Sequence, residues 1–291
     1  MRTFYYALGG GLGHLTRSLA VVYTLAIDGP IRITTSLTPE LRRMIVDLPA
    51  EVDLLIPPQD LNPRDRRQVA DWIEHNIGEF SPEQVFVDCF PAGVLGELSS
   101  SFAATIPKTL VTRCVTWSDY LLRCAPLSNW PRYEKILTTE PLEPLHIADL
   151  EDVGPVPHAI ALEDFIADAM RQRLNTLAKD LQLDRNTTLA VHSGPADETE
   201  QILRQAIEQT RPDHRIVLIS PLTSRPPTLP PRVEHRECYP VWPLFEHVGK
   251  IFTAAGANSM RQLSQYHGRH VAVALDRPLD DQARRTPHHK V

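Results

Sequence analysis

Short apolar runs alternate with amphipathic stretches along nearly the whole chain. Residues 3–8 are apolar and break into glycines, which predicts a buried strand followed by a helix over 14–27. The pattern continues with a strand over 31–35, a helix over 39–47, a strand over 52–56 and an amphipathic helix over 64–79. A strand over 84–89, a helix over 91–103 and a strand over 108–113 complete the first half. The second half opens with a long helix over 162–181, in which Ile166, Met170, Leu174 and Leu177 fall at helical spacing. Strands over 188–192, 215–219, 233–238, 250–253 and 270–275 follow, with helices over 198–209 and 259–266 between them. Such alternation implies βαβ units and a parallel sheet. The segment 140–158 is rich in proline and acid and reads as a linker. The expected architecture is therefore α/β: two Rossmann-like, doubly wound domains over 1–145 and 158–291, facing a cleft. Ligands bind such folds at the carboxyl ends of the strands.

Composition narrows the function classes. The chain has 291 residues, with 36 acidic against 30 basic side chains and a net charge of −6. A dedicated nucleic-acid binder would carry a basic excess. Hydrophobic residues at 42% and charged residues at 23% fit a globular protein rather than a disordered one. The 26 prolines must punctuate loops and strand ends. Cysteines stand at 89, 114, 124 and 238 without a CxxC pair, so neither a zinc site nor a disulfide framework fits. Cys89 and Cys114 adjoin apolar runs and read as buried free thiols, which points to a reducing compartment. No run approaches the roughly 18–20 apolar residues of a membrane span. The amino-terminal apolar run is a strand rather than a signal peptide. A soluble, cytoplasmic protein is expected, and contact with a membrane surface stays open.

The first candidate site is the loop Gly9-Gly10-Gly11-Leu12-Gly13-His14, continuing Leu15-Thr16-Arg17. Glycines at a strand-to-helix turn permit positive φ and close backbone approach. The dinucleotide fingerprint GxGxxG fails in both registers, because His14 or Thr16 stands where the last glycine belongs. The next strand ends in Thr34-Thr35-Ser36 rather than in an acid, so no nicotinamide cofactor is expected. A histidine at a helix start has its neutral form favoured, which suits a general base. Arg17 lies one turn on, placed to pair with a phosphate or a carboxylate.

The second candidate site lies near the carboxyl terminus. The strand over 250–253 runs into Ala254-Ala255-Gly256-Ala257-Asn258-Ser259. The small residues let a ligand approach the backbone, and Asn258 and Ser259 add side-chain donors at a helix start. Gln262 is placed to reach a ribose hydroxyl. Asp281-Gln282 follows the last strand and suits sugar hydroxyls.

Taken together these residues resemble a GT-B glycosyltransferase. The chain is similar to the group that contains the lipid-II N-acetylglucosaminyltransferase and predicted relatives with a Gly-x-Gly-His-x-x-Arg loop, here Gly11-Leu12-Gly13-His14-Leu15-Thr16-Arg17. Trp242-Pro243, Gly256-Ala257-Asn258-Ser259, Gln262 and Asp281-Gln282 resemble the nucleotide-sugar signature of plant and bacterial sugar transferases. The resemblance implies a donor held by the carboxyl-terminal domain and an acceptor held mainly by the amino-terminal one, with neither metal nor cofactor required. It makes His14 the catalytic residue, with Gly11, Gly13 and Arg17 on the acceptor or phosphate side. The loop His192-Ser193-Gly194 and the residues Gly256, Ala257, Asn258 and Ser259 would face the diphosphate. Val241 would lie on the nucleotide side, Gln262 on the ribose, and Asp281 and Gln282 on the donor sugar. Three departures stand out. Gln262 replaces the family's ribose-binding Glu, Ala254-Ala255 stands where many relatives have His, and the sequence runs only ten residues past Asp281.

The implied reaction moves a sugar from a nucleotide-diphosphate sugar, UDP-linked by preference, to an unidentified acceptor that is a small molecule, a glycan or lipid-linked. The alternatives are a nucleotide-sugar hydrolase of the pseudaminic-acid-pathway type, an epimerase on the same fold, and a non-catalytic nucleotide-sugar-binding subunit. Trp72, Ile73, Ile77 and Phe80 read as core. Arg64, Arg66 and Arg67 read as a solvated face. His288 and His289 read as a polar tail. The segment 117–130, with Asp119, Tyr120, Arg123 and Trp130, is the candidate acceptor contact.

Overall fold

A computed structural model of the chain describes residues 1–286; His288 and His289 lie outside the described residues. In chain order the elements are β1 (Thr3–Tyr6), α1 (Gly13–Thr24), β2 (Ile31–Thr34), α2 (Pro39–Met44), β3 (Val52–Leu55), α3 (Arg66–Phe80), β4 (Gln84–Asp88) and β5 (Lys108–Thr112). Next come α4 (Trp117–Leu121), β6 (Lys135–Thr138), α5 (Pro144–Glu151), β7 (His158–Ala159) and α6 (Asp168–Asp180). The chain continues with β8 (Thr187–Val191), α7 (Ala196–Gln209), β9 (Arg215–Ile219), β10 (Val233–Arg236), β11 (Lys250–Ala254), α8 (Ala257–Gln262) and β12 (His270–Val273).

Two α/β domains result, each with an all-parallel sheet. One sheet has seven strands in the order β3-β2-β1-β4-β5-β6-β7, the other five in the order β10-β9-β8-β11-β12. Among the described residues the first compact unit comprises 1–36, 49–165 and 278–280, and the second comprises 37–48, 166–277 and 281–286. Strands that are covered on both faces are apolar throughout rather than alternating, and β1 is buried at all four positions. Among the described residues no helix is long and apolar enough to cross a membrane. All four cysteines are free; Cys89 is buried and Cys114 half-buried.

Local chemistry explains most boundaries. Thr38 caps α2 by accepting from Leu41 N at 3.3 Å, with Pro39 at its first position. Asp65 caps α3 by accepting from the backbone of Arg67 and Gln68. The face of α3 that carries Ile73 and Ile77 is buried, and Trp72 and Phe80 pack against the same core, as the periodicity implied.

Three expectations are corrected. The segment 140–158 is no linker: Pro144 starts α5, where a missing N–H costs nothing, and β7 pairs with β6. The helix over 162–181 begins only at Asp168. Residues 91–103 form no helix. Gly93 and Gly96 there have φ of 82° and 76°, in the left-handed region. The backbone of this loop bonds instead to buried side chains. Tyr133 Oη donates to Pro91 O at 2.5 Å, and Tyr120 Oη accepts from Ala92 N at 2.8 Å and donates to Gly93 O at 3.0 Å. Tyr6 Oη accepts from Val94 N at 3.1 Å and donates to the Glu97 carboxyl group, whose Oε2 accepts from Leu95 N at 2.8 Å. Local periodicity cannot register partners that lie far away in sequence.

The candidate acceptor segment is also corrected. Trp117, Tyr120 and Trp130 are core residues, leaving Asp119 and Arg123 exposed. Trp117 stacks on His146 of α5 with ring centroids 3.7 Å apart, and its Nε1 donates to Asp149 at 2.6 Å. His146 is fully buried and neither ring nitrogen has a hydrogen-bond partner.

Two stability predictions follow from this packing. Tyr120→Phe leaves two buried backbone groups unpaired and should cost about 1–3 kcal/mol in urea denaturation. Burial pushes the His146 pKa from 6.5 down to about 3. The unfolded chain therefore gains a proton that the native chain excludes, and stability falls as the pH drops below about 6.5 toward about 3. His146→Phe should remove that share, so the variant gains on the wild type with falling pH; identical pH slopes in denaturation midpoints would refute it.

Candidate functional site

In the first sheet the strand order reverses between β1 and β4. A crevice opens beyond the carboxyl ends of such strands. The glycine loop follows β1, and Asp88 is the last residue of β4. Gly11 has φ 74° and turns the chain into α1, whose first residue is Gly13 and second is His14. A Cβ at Gly9 would overlap the His14 imidazole at Nε2, so the ring lies over the glycine backbone.

Three side chains converge here. His14 Nδ1 is 2.6 Å from Asp88 Oδ2. Arg17 donates to the same carboxylate with two nitrogens, Nε to Oδ1 at 2.7 Å and Nη2 to Oδ2 at 2.5 Å. The Asp88 side chain is fully buried, Arg17 is 4% exposed and His14 is 12% exposed. Arg17 thus pairs with a carboxylate of its own domain. Close by, Arg113 after β5 donates to Cys114 O at 2.9 Å and to Asp280 Oδ1 at 2.5 Å. Asp280 belongs to this unit through the short stretch 278–280, whose Leu279 packs on the same core.

The electrostatics suit a base. Burial pushes the His14 pKa down, Asp88 pushes it back up, and Arg17 and Arg113 push it down again; the balance lies below the ordinary histidine value. The ring is therefore neutral at pH 7. Burial would raise the Asp88 pKa, but the Arg17 charge and the His14 hydrogen bond outweigh it and hold the carboxyl below its ordinary range. An ionised Asp88 on Nδ1 fixes the proton there and leaves the Nε2 lone pair available. The sequence reading missed Asp88. Its signal was an acid ending the apolar run Val85-Phe86-Val87.

In the second sheet the order reverses between β8 and β11. The loop His192-Ser193-Gly194 follows β8, and Ala255-Gly256 follows β11. Val241 and Trp242 follow β10 in the chain. His192 Nε2 is 2.8 Å from Glu198 Oε2, and Arg277 Nη2 donates to that same oxygen. A Cβ at Gly194 would overlap His192 Nε2 and Glu198 Oε2 and press on Arg277 Nη2. By contrast, a Cβ at Gly256 meets nothing within 4 Å, so packing does not demand glycine there. Ala257, Asn258, Ser259 and Gln262 all lie on α8 and are half-buried. Asp281 is exposed, whereas Gln282 is buried and its Oε1 accepts from Leu275 N at 3.1 Å. That oxygen is therefore already engaged with the end of the last strand segment. Glu198 and Arg277 were missed in the sequence, being an ordinary helix acid and a loop cation until folded. Among the described residues no group of three or more His, Cys, Asp or Glu side chains is placed to hold a metal ion.

No family model matches the sequence, and no curated protein matches it. Solved structures do. The chain is similar to UDP-N-acetylglucosamine 2-epimerase from Rickettsia bellii at 12% identity and TM-score 0.57, over 97% of this chain and 80% of that one. It is similar to a UDP-glucosyltransferase from Polygonum tinctorium at 14% identity and TM-score 0.58, over 98% and 81%. It is likewise similar to a spinosyn rhamnosyltransferase complexed with thymidine diphosphate, at 15% and 0.52, over 98% and 84%. The fold is GT-B. At these identities the likeness is one of fold, and the chemistry of this GT-B chain has to be argued from its own side chains.

Those side chains make a prediction for the titration of His14. Asp88→Asn removes the group that raises its pKa, so the NMR midpoint of His14 should fall. Arg17→Gln removes a cation that lowers it, so the midpoint should rise. Unmoved midpoints in both variants would refute the coupling.

Proposed function

We propose that this GT-B chain transfers a sugar from a nucleoside-diphosphate sugar to the hydroxyl of an acceptor, with His14 as general base. The observation that carries the reading is the buried His14–Asp88–Arg17 constellation at the switch point of the first sheet. An unspecialised turn has no use for an ionised carboxylate that is wholly buried and locked to both an arginine and a neutral histidine.

The acceptor O–H gives its proton to His14 Nε2 as its oxygen bonds to the anomeric carbon. The bond from that carbon to the phosphate oxygen breaks, and the electron pair leaves with the nucleoside diphosphate. Asp88 orients the ring and stabilises the imidazolium as it forms, without taking the proton itself. Arg17 keeps Asp88 ionised. Gly11 and Gly13 bring backbone to the reacting groups. In the second domain, His192, Ser193 and Gly194 after β8, with Gly256, Ala257, Asn258 and Ser259 after β11, are assigned to the diphosphate. Gln262 is assigned to the ribose, Val241 to the nucleotide side and the Asp281-Gln282 turn to the sugar. The half-buried, unpacked turn at Gly256 supports that assignment. Among the structural relatives one is a UDP-glucosyltransferase and another was solved with thymidine diphosphate. Carried to this chain, they favour a UDP- or TDP-linked donor.

The test is nucleoside diphosphate release from a panel of UDP- and TDP-sugars with candidate acceptors, for the wild type and His14→Ala. Release that requires an acceptor and falls about 10²- to 10⁴-fold in the variant supports the reading. Release of free sugar without acceptor would assign hydrolysis to the same site. Conversion of the donor to its epimer would assign epimerisation. Donor binding with no turnover under any acceptor would leave a binding subunit.

A further inference from the structure

Each domain carries a similar arrangement: a histidine after its first strand bonded to a carboxylate, an arginine on that carboxylate, and a glycine against which the histidine packs. The two differ in which ring nitrogen is engaged. His14 uses Nδ1 and keeps Nε2, whereas His192 uses Nε2 and keeps Nδ1. The His192 side chain is only 8% exposed, and its Nδ1 has no hydrogen bond among the described residues. In the neutral ring Nε2–H donates to Glu198 and Nδ1 is a bare lone pair, which offers nothing to an anion. Only the protonated ring donates from Nδ1.

We propose that His192, Glu198 and Arg277 form the diphosphate-binding centre of the second domain, and that it takes its ligand as an imidazolium, so that nucleoside diphosphate binding takes up a proton. This deepens the nucleotide-sugar reading and rests on it. The charges agree. Glu198 and Arg277 cancel, and the other charge that acts on the ring is Asp197, exposed on the first turn of α7. An empty centre with a neutral ring therefore has no net positive charge for an anion of two or more charges, and protonation adds one positive charge where the anion would bind. Burial, with Arg277, pushes the His192 pKa down against the pull of Glu198 and Asp197, so the empty ring is neutral and has a proton to gain. A bound diphosphate raises that pKa. Affinity should then increase as the pH falls, and level off once the pH drops below the pKa of the empty protein.

The test is calorimetric titration of the full chain with UDP and with thymidine diphosphate at about pH 7.5, where the terminal phosphate, with a pKa near 6, is already ionised. Buffers of different ionisation enthalpy report the protons exchanged. Uptake of about one proton per nucleotide is expected for the wild type. His192→Gln should bind roughly 10- to 100-fold more weakly, with no uptake. Gly194→Ala, whose methyl group would displace the cluster, should lose the uptake as well. Binding without uptake in the wild type, or uptake that survives in His192→Gln, would overturn the proposal and leave the nucleotide-sugar reading standing. Failure of the folded protein to bind either nucleotide would overturn both.

Discussion

A carboxylate without solvent access cannot remain ionised alone, because the cost of removing a charge from water exceeds what folding can spare. Asp88 is such a group, and much of the first domain is arranged around it. Its two oxygens take two hydrogen bonds from Arg17 and one contact from His14, and both partners come from the first turns of α1. That helix must therefore start where the glycine loop lets it start, with His14 over Gly9 and Arg17 one turn further in. Removal of Arg17 would leave the Asp88 charge to a penalty of about 3–5 kcal/mol, typical of a broken buried pair. The pairing thus joins two strands at the centre of the sheet, one through its last residue and one through the helix that follows it. The same contacts that stabilise the charge also fix the imidazole tautomer.

The parallel topology makes this constraint productive. In both sheets the strand order reverses beside the first strand of the domain, at β1/β4 and at β8/β11. Helices that follow the two strands at such a point leave on opposite faces, so the backbone between them is uncovered and side chains can converge there. Each sheet places a histidine, a carboxylate and an arginine at that point. Glycine at 9 and at 194 leaves space for these groups, since a side chain would run into the His14 ring at the first position and into His192 Nε2 and Glu198 Oε2 at the second. The tyrosine-held loop after β4 adds rigidity on one side of the first constellation, and Phe90, whose ring centroid is 6.0 Å from that of His14, is the residue that joins them.

Much of this was legible along the chain because it is local. Apolar strands of four or five residues, glycine turns and amphipathic helices each leave a signature within a short window. His14 and Arg17 were visible for the same reason, as was the small-residue turn at Gly256. Partners distant in sequence were not. Asp88 lies 71 positions from Arg17 and Arg277 lies 79 from Glu198, and nothing near Asp88 or Arg277 marks it as one half of a pair. The loop over 91–97 carries Gly93 and Gly96 in the left-handed region, and Tyr6, Tyr120 and Tyr133, from three other places, supply its hydrogen bonds. Trp117, Tyr120 and Trp130 looked like a surface for an acceptor because aromatics after a strand end often are; the helix α5, hidden behind its proline, packs on Trp117, and Tyr120 and Trp130 pack on Trp117 in turn.

The two constellations share their parts but not their exposure, and that difference sets what each can do. Arg17 and Asp88 are 4% and 0% exposed, so neither can turn to a new partner without leaving a bare charge behind. Their job is positional, and the histidine between them is the only member with a free reactive edge. Glu198 at 16% and Arg277 at 35% stand nearer to water, where an ion pair is worth little and exchanges readily. On the proposed reading a ligand anion competes for Arg277 there, and a proton on the ring makes up the charge. A rigid centre suits the step in which a proton must move along a defined line. An exchangeable one suits a ligand that must bind tightly as substrate and leave as product.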